Sequence, residues 1–348
     1  MKRTGIVSLV LCAAMGTFAV PALHQGGSAT QAPPAPSAAP TSPPAMPHPP
    51  VVFTPRYTPG EMLRYQVSFR SQAKNQVGGA VENPEGATEL GIEVGLTLRL
   101  EVLPPIPTTE GSAPATGAGD RPSLRLRAVY ERVTASLTGD SYDPSAAKLL
   151  AQYQHLEGRA IEFQLGPHGE MEYVKGLEEV VQDPRALEAA RAWIEQLGAG
   201  LSAPQTGAVP GQSWERSQPV PDAPLAGTSL QTTSTYLRDE ACDVEHPAGE
   251  QCALVLTRFT LGQKAGEKNA TPETFRRTGL RTSGELTSHG ESLVYVSLRT
   301  GRTVSVTQSR DVLMDLSIWH EDGGMPFHFA GASKTETHLL LLSGQPGQ

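Results

Sequence analysis

The hydrophobic positions of this chain recur with a period of two. Leu63, Tyr65, Val67 and Phe69 alternate with Arg64, Gln66 and Ser68, which places the two sets on opposite faces of a strand. A longer run follows: Leu90, Ile92, Val94, Leu96, Leu98, Leu100 and Val102 stand against Gly91, Glu93, Gly95, Thr97, Arg99 and Glu101. At about 3.3 Å per residue this run is more than twice the length of an ordinary strand, so the sheet that contains it is tall.

The same pattern returns towards the C-terminus. Val304, Val306, Val312, Met314, Leu316 and Ile318 share one parity, which Gln308 and Arg310 interrupt halfway. That interruption predicts a bulge or a polar spot on the inner face. The run from Glu291 to Leu298 leads into it through Arg299-Thr300-Gly301-Arg302, and His320-Glu321-Asp322-Gly323-Gly324 turns the chain into a further strand from Pro326 to Leu342, so these strands form a meander. Other predicted strands are Leu124 to Leu137, Arg159 to Gly166, Glu170 to Lys175, Gln212 to Ser217, Ser229 to Arg238, Gln251 to Leu261 and Leu280 to Ser288. The Pro/Gly/Ala-rich stretches Gln76 to Thr88 and Pro104 to Pro122 are predicted to be long surface loops.

Two segments carry helical spacing instead, each opened by Asp-Pro. Asp143-Pro144 precedes Leu149, Tyr153 and Leu156, ending at Gly158; Asp183-Pro184 precedes Leu187, Ala190, Ile194 and Leu197, with Trp193 beside them and Gly198 as the stop. Such short amphipathic helices gain their stability by packing an apolar stripe on a sheet. The expected fold class is therefore mainly β (α+β). It is a large curved antiparallel sheet or half-barrel of about ten or eleven strands, with two or three helices covering the concave face. Leu187, Trp193, Ile194 and Leu197 are candidates to line an apolar pocket between helix and sheet.

The N-terminus is of another kind. Lys2 and Arg3 precede an apolar run from Ile6 to Val20 that ends in Val20-Pro21-Ala22, the order of a secretory signal peptide. Residues 1–22 are expected to be that signal and 23–50 a disordered Pro/Ala-rich spacer, with His48 solvated. Residues 51–348 are expected to form a single β-rich domain. Export would place the chain in the periplasm or outside the cell. Without Cys12, the remaining pair Cys242 and Cys252 flanks a turn-rich stretch, which predicts a disulfide across a hairpin. The net charge of −8, or −10 once Lys2 and Arg3 are lost, argues against non-specific nucleic-acid binding.

Motifs that would carry chemistry are scarce. There is no G-x-S-x-G, no H-E-x-x-H, no P-loop and no dinucleotide fingerprint, so no cofactor is expected. His320, Glu321, Asp322 and His328 bracket the Gly323-Gly324 turn and form a weak candidate metal or proton-transfer cluster. The bland reading gives the acids and glycines to the turn and the histidines to its flanking strands.

Several short motifs occur in a fixed order: Tyr57-Thr58-Pro59-Gly60-Glu61-Met62-Leu63-Arg64-Tyr65, Leu156-Glu157-Gly158-Arg159, Gly169-Glu170-Met171-Glu172, the Asp183-Pro184 helix, Gly211-Gln212-Ser213-Trp214, and a meander through Thr300-Gly301. In this order the chain resembles a group of uncharacterised exported bacterial β-rich proteins over most of residues 55 to 320. More distantly, its element order is similar to the lipoprotein-carrier half-barrels of the bacterial envelope. The resemblance implies an open antiparallel sheet with helices on its concave side. The expected function is that of a non-enzymatic envelope protein holding an apolar small molecule, a lipid or a segment of an envelope protein. The alternatives are a structural protein with a solid core, a hydrolase or metal enzyme using residues 320–328, and an outer-membrane barrel.

Overall fold

The computed structural model describes residues 48–79, 86–104, 124–139, 150–165, 171–180, 203–204, 206–220, 223–243, 249–263, 271–323 and 325–345. They build eleven strands: β1 (Met62–Gly79), β2 (Thr88–Leu103), β3 (Leu124–Gly139), β4 (Ala160–Leu165), β5 (Met171–Lys175), β6 (Ser213–Pro219), β7 (Thr228–Ala241), β8 (Gln251–Gln263), β9 (Leu280–Ser297), β10 (Thr303–His320) and β11 (Phe327–Gln345). All join one antiparallel sheet in the order β5-β4-β3-β2-β1-β11-β10-β9-β8-β7-β6, which does not close into a barrel. Among the described residues helix is confined to short pieces: a turn at 150–154, α1 (Leu177–Val180) and α2 (Glu273–Arg276).

Alternation sets the faces, and the register keeps them aligned. Val306, Gln308, Arg310, Val312, Met314, Leu316 and Ile318 of β10 face inwards. They stand opposite Leu339, Thr337, Thr335, Ser333, Gly331, Phe329 and Phe327 of β11. The outer face carries cross-strand ion pairs, among them Arg64–Glu131 at 3.0 Å, Arg70–Glu93 at 2.9 Å and Lys74–Glu89 at 2.9 Å. Exposed pairs of this kind contribute little each, but they keep that face wet and fix its register.

The inner face carries three apolar clusters. The first joins Leu63, Leu98, Leu126 and Ile161 of β1 to β4 and is covered by Leu177 of α1 and by Tyr153 and Leu156 of the helical turn. The second joins Leu230, Phe259, Leu261, Leu286, Val312 and Leu316 and is covered by Ala223 and Leu225 of the loop before β7. The third joins Tyr236, Val255, Val294 and Val296 and is covered by Phe53 and Ala208, with Trp214 partly buried against it. Phe53 belongs to an N-terminal strap, residues 48–61, which crosses the strand ends and pairs through Val51 with Ala208.

Several expectations need correction. β1 continues through Gln76 to Gly79 where a loop was expected, because the long β11 supplies partners as far as Phe327. Leu280–Ser297 is one strand rather than two, since Ser288, Gly290 and Ser292 keep the inward parity although they are not apolar. The interruption at Gln308 and Arg310 is a polar spot and not a bulge: the register shift of β10 lies at its start, between Thr303 and Ser305. His48, whose side chain is 34 % exposed, is nevertheless not free in the spacer: its Nε2 lies 2.7 Å from Asp239 Oδ2, so ordered contacts begin before residue 51. The predicted helix 183–198, with Leu187, Trp193, Ile194 and Leu197, lies outside the described residues, as does Asp143-Pro144. The same holds for 105–122 of the second predicted loop.

Candidate functional site

Between the second and third apolar clusters the inner face turns polar. Reading across the strands at mid-height, the inward residues are Ser234 of β7, Thr257 of β8, Ser288, Gly290 and Ser292 of β9, Gln308 and Arg310 of β10, Thr335 and Thr337 of β11, and Ser71 of β1. Ser234 and Thr257 share a hydrogen bond of 2.8 Å, and Thr335 donates to Ser71 across 3.5 Å. Hydroxyl residues are tolerated in a strand, so the ladder runs through this belt unbroken.

Arg310 lies at the middle of the belt and is 4 % exposed. Its Nε–H donates to Ser288 Oγ at 2.8 Å, while Nη1 is buried without a hydrogen-bond partner. Thr337 Oγ1, diagonally adjacent on β11, is also buried and unpartnered. From Val306 to Ile318 and across the register partners on β9, β11 and β1, Arg310 is the sole charged side chain facing inwards. Burial alone lowers its pKa, to about 10. Among the described residues no acidic group offsets that effect, which is unusual because buried charges are ordinarily paired.

Gly290, directly opposite Arg310, makes room. A Cβ at that position would lie 2.5 Å from Cζ of Phe259, so the aromatic ring, itself part of the second cluster, lies over the glycine.

A second arginine shows the ordinary solution. Arg302, 8 % exposed, grips both carboxylate oxygens of Glu61 at 2.5 and 2.6 Å, donates through Nε to the Arg56 carbonyl at 2.5 Å, and stacks 4.9 Å above the Tyr57 ring. Burial pushes the Tyr57 phenol up to about 12. Gly301 turns with φ +67°, and a side chain there would strike the Thr54 carbonyl. This pin ties the strap to the β9–β10 turn, bringing Tyr57 to Glu61 together with Thr300 to Arg302. At the strap's other end His48 bonds Asp239, which also accepts from the Tyr236 hydroxyl. The Asp239 hydrogen bond raises the His48 pKa.

The structure separates the weak metal candidates. Glu321 pairs with Arg281; His328 accepts or donates at 3.3 Å to Ser317 Oγ and lies 3.7 Å from Asp315; His320 and Asp322 are exposed. Among the described residues no group of three His, Cys, Asp or Glu side chains is arranged to hold a metal. Cys242 and Cys252 are joined, Cα to Cα 4.9 Å, stapling β7 to β8.

No protein-family model matches the chain, and no curated protein is similar to it. Among the described residues no helix is long and apolar enough to cross a membrane.

Proposed function

We propose that this protein is an exported, non-enzymatic binding protein of the bacterial envelope whose inner sheet face holds an apolar ligand or an extended partner segment. The observation that carries the reading is the division of that face. A sheet serving only as a core would be apolar from end to end, whereas here two apolar clusters are held apart by a belt of hydroxyl groups, each under a small cover of its own. Ligand sites have that composition: mostly apolar walls with a few placed polar groups. The strap supports the second form of the reading, since the same face already accepts an extended segment of its own chain through Phe53 and Val51. The disulfide fits an oxidising compartment. An outer-membrane barrel requires a closed sheet with a lipid-facing exterior; here the sheet is open and its outer face bears ion pairs.

Native mass spectrometry of the mildly purified protein tests the proposal. A mass above that of the chain, lost on organic extraction, is the expected result, as is fluorescence uptake of the neutral probe N-phenyl-1-naphthylamine after extraction. A bare chain that takes up no probe would overturn it.

A further inference from the structure

Arg310 has what a binding site for an anion needs and what a structural arginine lacks. It is buried, it projects from a regular strand that fixes its position, and one nitrogen of its guanidinium fork, Nη1, is buried without a partner. Removing a guanidinium from water without a counter-charge is costly, and Arg302 shows that this fold can pair a buried arginine when pairing is the purpose. The groups around Arg310 are hydroxyls and glycine: Ser288 and Gly290 on one side, Thr335, Thr337 and Ser71 on the other. Hydroxyls can donate to an incoming anion, and no carboxylate stands among them to repel it. A planar fork with free N–H groups matches the two oxygens of a carboxylate or phosphate.

Along β10 from this point the inner face is apolar again, through Val312, Met314, Leu316 and Ile318, with Leu286 and Phe329 beside them on the adjoining strands. We infer that Arg310 anchors the anionic group of an amphipathic ligand, a carboxylate or phosphate ester on an apolar chain, whose tail lies along the second apolar cluster. This inference rests on the binding reading above and names the ligand class for it.

Direct titration of the extracted protein tests it with cis-parinaric acid, its uncharged methyl ester and inorganic phosphate. The acid should bind about tenfold more tightly than the ester or better, in keeping with a charged hydrogen bond in a dry site. Arg310→Met should reduce the acid to the level of the ester and leave the ester unchanged, while Arg310→Lys should keep part of the preference. The acid-to-ester comparison needs no variant, so a misfolded Arg310→Met does not remove the test. Equal binding of acid and ester to the parent, or a preference that survives in Arg310→Met, overturns the role of Arg310 and leaves the apolar site standing. Failure of both probes to bind overturns the two readings together. Phosphate that raises the thermal midpoint of the parent but not of Arg310→Met, without displacing the acid, identifies a site for a small free anion and overturns the amphipathic ligand.

Discussion

Breaking the pin between strap and sheet offers the sharpest quantitative check. Glu61→Gln keeps the shape of the side chain but removes the charge opposite Arg302, whose side chain is 9 % exposed. Taking one partner from a buried pair costs about 3 to 5 kcal/mol, because the remaining charge stays uncompensated. Arg302 retains the Arg56 carbonyl and the Tyr57 ring, so the expected loss lies near the lower end, about 3 kcal/mol. Arg302→Met should cost about 2 kcal/mol, since Glu61 keeps its bond from the Thr58 N–H and can turn towards water. The double variant leaves no orphaned charge, and its loss should fall short of the summed single losses by at least about 1.5 kcal/mol. Urea melts of the four proteins give these values, and hydrogen exchange at residues 54–61 should accelerate in each single variant. Either single variant within about 0.5 kcal/mol of the parent, or additive losses, would refute the pin as an energetic unit.

The disulfide closes a loop with a sequence separation of 10, for which loss of chain entropy in the unfolded state amounts to about 2.5 to 3 kcal/mol. Reduction with a thiol should lower the urea midpoint accordingly, and a midpoint unmoved by complete reduction would contradict the estimate. For His48 the sign follows from its upward shift: its contribution is complete below the ordinary value of 6.5 and is lost as pH rises through the folded-state value. The thermal midpoint of the parent should therefore exceed that of His48→Gln by more at pH 6 than at pH 8, and a gap independent of pH would exclude the bond to Asp239 as its source.

Most of the sheet was legible because its strands are long and one face is buried, so that alternation repeats too often to be mistaken. The polar spot at Gln308 and Arg310 was legible for the same reason, as a break in an otherwise regular parity. What that break means was not, since whether Arg310 has a counter-charge depends on three other strands, β9, β11 and β1. Ser288, Gly290 and Ser292 concealed the continuity of β9 because hydroxyls and glycine at inward positions resemble a strand end. The pin escaped the sequence although both of its motifs were visible there: Glu61 and Arg302 are 241 residues apart, and neither position signals that the other is its partner. Asp239 and His48, 191 residues apart, were hidden in the same way.

The strand order also governs how the molecule comes into being. Strands β1 to β5 and β6 to β11 are two wings built from neighbours in sequence, but β1 lies against β11, with Met62 opposite Gln345. The central seam of the sheet is thus sewn from its own first and last strands in chain order. An emerging chain can knit the first wing from local hairpins and must then hold an open edge of 18 residues until β11 arrives, a long-range closure that is slow and exposed to mispairing. A polypeptide shortened before β11 would keep β1 to β5 and β6 to β10 and lose the strand that stitches them together.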